Sequence, residues 1–370
     1  MRSAYLDSWG PLGLRLSSDP DPCPGVDWGA LYRRGGSHAH QDDQDRLNAD
    51  RTWGTNDAQA PGGSGIALAY SQPDVAAVRV AFMGWKNNPV KPNPEHACRD
   101  GLYDLAGFEM TGEAQFARGV QAVATRCTVW PWFEMDGEVR LDDPGYRPQN
   151  LDNLLAYAQA HPHQGLRYVN IRALGWAMYF KAAEVYCLKK MARSAVATIS
   201  TAWLEKALDV LDLAAMPGTG QIEFGDFDEQ HPIDQLGCEY SFHKGILAMG
   251  AMACAKQCGR PLPTWVRQWL EAAAVLPAMT YSPYGAASLP SFTFSVGGKL
   301  YVASGSGQNG DPAFGWHQSA CVGAAMLDVA NRAHWLSLAT RWGPTVWDGK
   351  DEQTRKFTML YRGALAAMST

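Results

Sequence analysis

The sequence predicts a mainly α fold of repeated antiparallel helical hairpins, and three observations predict it. The first is a recurrent helix opened by an aromatic and rich in small residues: Gly175-Trp176-Ala177, Ser241-Phe242-His243 and Gly315-Trp316-His317 begin the copies. The second is a break in each copy, followed by a shorter helix led by tryptophan: Trp203-Leu204-Glu205, Trp265-Val266-Arg267 and Trp335-Leu336-Ser337. The third is the contrast between the two helices. The first is apolar on nearly all sides. The second is split, with Trp203, Leu204, Ala207, Leu208 and Leu211 opposite Glu205, Lys206, Asp209 and Asp212. A helix apolar all round is touched on both flanks, whereas a split helix is half in solvent. One such pair cannot bury both faces alone, so the copies must stack side by side, inner helix on inner helix.

The elements follow in order. Residues 1–63 are rich in Gly, Pro, Asp and Ser, with Asp19-Pro20-Asp21-Pro22 and Pro61-Gly62-Gly63 as breakers. Tyr5, Trp9, Trp28, Tyr32 and Trp53 punctuate this arm, and such aromatics are normally buried. It therefore reads as an extended arm that packs on the rest of the chain or on another subunit. Residues 64–96 form a small β region, with Val78, Val80 and Phe82 alternating against Arg79 and Ala81. The helical domain spans 97–370 and opens with a less obvious pair at about 97–109 and 112–126.

Two β-hairpins are inserted in it. Residues 129–141 turn at Asp136-Gly137, and 291–303 turn at Gly297-Gly298, where both central residues favour the positive φ of a type I′ turn. Neither hairpin is large enough to stand alone, so each must lean on helices or on the strands of 66–83. The inner helices are placed at 171–189, 239–257 and 315–331, and the outer ones start near Trp203, Trp265 and Trp335. A closing helix at about 351–368 carries Phe357, Leu360, Tyr361, Ala364 and Leu365 at helical spacing. Four pairs and a closing helix make an incomplete or small toroid.

Bulk composition narrows the function classes. The chain has 370 residues, 46% apolar and 19% charged, as in an ordinary globular protein. A net charge of -5, with no basic stripe, excludes nucleic acid as a partner. No apolar run approaches the roughly 20 residues that span a bilayer, and no basic patch with an apolar core opens the chain. The expectation is a soluble protein, cytoplasmic on synthesis, with a virion as the other destination. Eight cysteines without a CxxC pair read as buried free thiols. Cys254 and Cys258 share a helix face but lack two further ligands, so no metal site and no cofactor is expected. Fourteen tryptophans and fourteen tyrosines either fill the core or line a sugar-binding groove.

Arg172-Ala173-Leu174-Gly175-Trp176, with alanine-rich inner helices and tryptophan-led outer ones, resembles the α/α-toroid proteins. These include six-hairpin glycosidases, toroid polysaccharide lyases and bacterial and phage relatives. The resemblance covers about 97–368 and is architectural, without a family catalytic signature. It implies a central groove that handles a polysaccharide, as a lyase or a hydrolase. The sequence also fits a non-catalytic virion or tail protein that reuses the fold, assembling through the N-terminal arm with other subunits or with copies of itself.

Candidate site residues sit where inner helices begin. Arg172, Tyr240 and His243 suit a lyase, in which a histidine or tyrosine removes a proton beside a carboxylate that arginine neutralises. Asp226 and Asp228, in the acidic loop Glu223 to His231, suit a hydrolase, which needs paired carboxylates. Lys244, His317, Gln318, Trp316 and Trp176 are the substrate-binding candidates. His243 and His317 both follow a leading aromatic and are expected at equivalent positions. Ser37-His38-Ala39-His40 could present two imidazoles on one side of an extended chain, but a solvated run is the simpler reading. Ser304 to Gly310 lacks the ending of a phosphate loop and reads as a connector.

Overall fold

The structure is a computed structural model that describes residues 105, 108, 112–129, 151–166, 169, 171–222, 238–277, 279–281, 286–290, 292–302 and 314–340. The arm 1–63, the β region 64–96, the hairpin 129–141 and the closing helix 351–368 lie outside the described residues, apart from Val129.

The described helices, in chain order, are α1 (Ala114–Val129), α2 (Leu151–Ala160), α3 (Ile171–Lys190), α4 (Ser194–Ala214), α5 (Ser241–Cys258), α6 (Thr264–Ala274), α7 (Phe314–Leu327) and α8 (Arg332–Thr340). A single 3-10 turn, Val329–Asn331, separates the last two. They pack as two layers. α1 touches α3, α3 touches α5 and α5 touches α7, while α2 touches α4, α4 touches α6 and α6 touches α8. Odd-numbered helices are thus the inner row and even-numbered helices the outer row.

Within the inner row, α3 and α5 run parallel. Their contacts advance together: Gly175 lies against Leu247, Cys254 Sγ donates to Met178 O (3.3 Å), and Lys189 Nζ donates to Gln257 O (2.6 Å). The backbones meet at two glycines. A Cβ on Gly175 would lie 2.7 Å from Leu247 Cα, and one on Gly250 would strike the carbonyl oxygen of Gly175. α4 returns antiparallel to α3. Its end reaches back beside the segment before α3, where His163 N–H and Gly165 N–H donate to Leu213 O (2.7 Å) and Ala214 O (2.8 Å).

The outer tryptophans point inward. Trp265, Trp269 and Trp335 are almost wholly buried and form the seam between the two rows. Arg267 of α6 stacks over Trp335 and donates to Asp328 Oδ2 (2.7 Å), which also accepts from Trp335 Nε1 (3.1 Å). Desolvation pushes the Asp328 carboxyl up, but hydrogen bonds from Asn331, Trp335 and Arg267, with the Arg267 charge, hold it below the ordinary value.

The β elements are small. β1 (Cys238–Tyr240), β4 (Phe292–Val296) and β5 (Lys299–Val302) form an antiparallel sheet in the order β1-β4-β5; β2 (Met279–Tyr281) and β3 (Ala286–Ser288) form a separate pair. The expected 291–303 hairpin is present. Gly297 and Gly298 carry φ of 55° and 76°, which only glycine adopts readily. It leans on β1 through the register Tyr240↔Phe292 and Cys238↔Phe294, and β5 touches α6.

Four boundaries differ from the sequence reading. The inner helix placed at 239–257 begins at Ser241, because 238–240 extend to pair with β4. α4 begins at Ser194, well before Trp203. Its first turns hold Val196, Thr198, Ile199 and Thr201, whose branching lowers helix propensity. Thr198 and Thr201 hydroxyls donate to the carbonyls of Ser194 (3.0 Å) and Ala197 (2.8 Å), which ties these side chains to the helix. The segment read as 112–126 is α1, which packs on the inner helix α3; of its expected partner at 97–109 only Leu105 and Phe108 are described, and α2, which packs on α4, was not foreseen. The inner helix placed at 315–331 ends at Leu327, where Asp328 N–H closes the last turn on Ala324 O (2.8 Å).

Candidate functional site

The parallel run of α3 and α5 places their first turns side by side. Arg172, the second residue of α3, reaches over the ring of Phe242, the second residue of α5, with its guanidinium carbon 5.5 Å from the centroid. His243 follows at once, its ring 4.1 Å from Phe242 and 4.8 Å from Tyr240 between centroids. Tyr240 and Phe242 meet edge to face at 5.9 Å. All four side chains are half-buried. They form one corner at which β1 turns into α5.

The electrostatics of this corner are set by desolvation and by one charge. Desolvation disfavours the imidazolium of His243, and the Arg172 guanidinium opposes it further, so the pKa falls well below the ordinary 6.5. His243 is neutral at neutral pH. The corner makes it an imidazole that resists protonation.

Lys244, one residue on, points about 100° away around the helix and into the core. Its ammonium is fully buried, bonded to Gly220 O and to Glu239 Oε1 (3.1 Å), and lies 4.7 Å over the Trp265 ring. Glu239 Oε1 also accepts the Ile222 N–H (2.5 Å). A cation enclosed by these protein groups cannot meet a substrate, so Lys244 moves from binding candidate to internal ion pair.

His317 is also withdrawn. It is fully buried, its Nε2–H donates to Leu270 O (3.2 Å), and its ring stands edge-on to Trp269 of α6. A carbonyl only accepts, so Nε2 holds the proton and Nδ1 faces the thiol of Cys321 (3.7 Å). Burial pushes that thiol far up, which leaves it un-ionised. The match with His243 fails: His317 faces α6 of the outer row, whereas His243 faces Tyr240 and Phe242.

Trp176 is 4% exposed and packs with Tyr179 and Phe180 as core. Trp316 and Gln318 fall in the first turns of α7, but their side chains lie outside the described residues, as do Asp226, Asp228, His38 and His40. The structure thus gathers Arg172, Tyr240 and His243 and does not gather Lys244, Trp176 or His317 with them. Sequence reasoning missed the part played by Phe242. Its signal was the aromatic that leads each inner helix. Among the described residues, no group of three His, Cys, Asp or Glu could hold a metal, and no helix is long and apolar enough to cross a membrane.

No protein-family model, curated protein or solved structure matches the chain.

Proposed function

We propose that the protein acts on a uronate-containing polysaccharide, with Arg172, Tyr240 and His243 as a lyase site at the mouth of the inner helices. The observation that supports this most is a neutral imidazole beside a guanidinium, on a half-buried aromatic corner. Arg172 would bind the sugar carboxylate and spread the charge that develops on it. His243 would take the proton from the adjacent ring carbon. As the new double bond forms, the glycosidic carbon–oxygen bond breaks, and the leaving oxygen takes the Tyr240 proton. Phe242 and Tyr240 offer faces against which a sugar ring can lie.

The low pKa of His243 serves this chemistry only if it rises on binding, since a weak base abstracts protons poorly. A bound carboxylate supplies that change. It offsets the Arg172 charge, the lesser of the two causes that depress the imidazole, and so raises its basicity in part while the larger effect of desolvation remains.

The test is depolymerisation of polygalacturonate and alginate, followed by ultraviolet absorbance of the unsaturated product, with methyl-esterified pectin and a neutral glucan alongside. Product from the free acids, and loss of that product in Arg172→Gln, supports the reading. Reducing ends without unsaturation would point to hydrolysis, and no cleavage of any glycan would sink both.

A second reading, a non-catalytic virion or tail component, is favoured by one observation. Val196 and Ile199 on α4 are 44% and 75% exposed, a solvent-facing apolar pair that a neighbouring subunit would cover. Ile199→Asp would then lower the oligomeric mass measured by light scattering, while glycan cleavage would be absent throughout.

A further inference from the structure

We infer that the buried Glu239–Lys244 ion pair is a positioning clamp that fixes the strand-to-helix corner bearing Tyr240, Phe242 and His243. The inference rests on the lyase reading for its consequence, though not for its geometry.

The pair brackets the site in sequence. Glu239 is the middle residue of β1, and Lys244 lies in the first turn and a half of α5, so their contact closes a ring around residues 240–243. Successive residues on a strand point to opposite faces. Glu239 therefore faces the core while Tyr240 faces the corner, and fixing one fixes the other. Lys244 and His243 have the same relation on the helix, separated by about 100°. The clamp is itself anchored at both ends. Glu239 holds the Ile222 N–H, and Lys244 holds Gly220 O while lying over Trp265. Gly220 has φ of 62°, and a Cβ there would strike the Trp265 carbonyl, so this segment sits tightly on α6. Ser241, between the two, donates its hydroxyl to Pro290 O (2.5 Å). The corner is thus tied to the segment after α4, to α6 and to the strand region at once.

Energetics favour a positioning role over a stabilising one. Both side chains are almost wholly inaccessible, at 0% and 1%. A buried ion pair seldom outperforms a well-packed apolar pair of the same volume, because desolvation consumes most of the attraction. What it adds is direction: two charged groups with fixed partners hold one geometry.

The experiment uses the full chain with histidine and tyrosine isotopically labelled. Glu239→Gln combined with Lys244→Met keeps the acceptor for Ile222 N–H and the volume over Trp265 but removes the charge link. The expected result is a folded protein in which the ring resonances of His243 and Tyr240 shift and broaden, and the low His243 pKa moves toward its ordinary value. On polygalacturonate or alginate, kcat falls roughly 100-fold with KM little changed, as expected for sub-ångström to ångström misplacement of reacting groups. Glu239→Asp is the second variant. It keeps both charges, withdraws the carboxylate by one methylene, and should show the same spectral shift if the double variant does not fold. Resonances and His243 pKa equal to wild type in whichever variant folds would overturn the clamp. A wild-type protein inert on every glycan would instead sink the lyase reading, and the spectral result would still decide the clamp.

Discussion

Replacing Gly175 by alanine sets two physical arguments against each other. Intrinsic propensity says that alanine inside a helix gains about 1 kcal/mol over glycine. Packing says the reverse. The added Cβ would lie 2.7 Å from both Leu247 Cα and Leu247 N, and 2.8 Å from Ile246 C, all backbone atoms of α5. Ordinary carbon contacts begin near 3.5 Å, so α3 and α5 must part by several tenths of an ångström. No side chain can swing aside there, which places the strain at the upper end of the usual overpacking range, about 3 kcal/mol. The net is a loss of about 2 kcal/mol, or a Tm lower by roughly 4–8 °C. Calorimetry on Gly175→Ala and Gly250→Ala should give the same sign for both, since Gly250 meets the carbonyl of Gly175. An unchanged or raised Tm in either variant would refute the parallel close approach of the inner helices.

The remaining predictions concern charge. Lys244→Ala leaves Glu239 buried without its cation and should cost about 3–5 kcal/mol in urea unfolding, whereas Lys244→Met with Glu239→Gln should cost far less; equal losses would contradict the ion-pair account. Asp328→Ala removes the acceptor for Arg267, Trp335 and Asn331 and should cost about 1–3 kcal/mol, measurable as a lower urea midpoint. His243 binds fewer protons folded than unfolded between its depressed pKa and 6.5, so stability should fall as pH drops through that window, and His243→Gln should flatten that part of the profile. An unchanged slope in His243→Gln would show that the imidazole titrates normally.

Much of the fold was legible because its signals were strong and local. The starts of α6 and α8 lie within three residues of Trp265 and Trp335, large apolar side chains that are almost wholly buried. The turn at Gly297-Gly298 followed from backbone chemistry alone. What was not legible depended on partners distant in sequence. β1 is three residues long and becomes a strand only through β4, more than fifty positions away. The start of α4 exposes Val196 and Ile199, so it carries no amphipathic pattern to read. α2 is a ten-residue helix that buries Leu151, Leu154 and Ala158 and packs on α4, a contact no local window contains.

The site divides the same way. Arg172, Tyr240 and His243 were identifiable as polar residues at the start of apolar helices, and the structure brings them to one corner. Lys244 and His317 carried the same signal with the opposite outcome. The rotation of each helix about its axis decides whether such a group faces this corner or the core, and sequence spacing from a leading aromatic does not fix that rotation.

The most direct test of the functional account is His243→Ala, measured for glycan cleavage and for thermal stability on the same preparation. The account predicts loss of unsaturated product from polygalacturonate or alginate, with stability held to within about 1 kcal/mol of wild type. Cleavage at the wild-type rate would contradict it, and so would a large fall in Tm, which would mark His243 as a core residue with no part in chemistry.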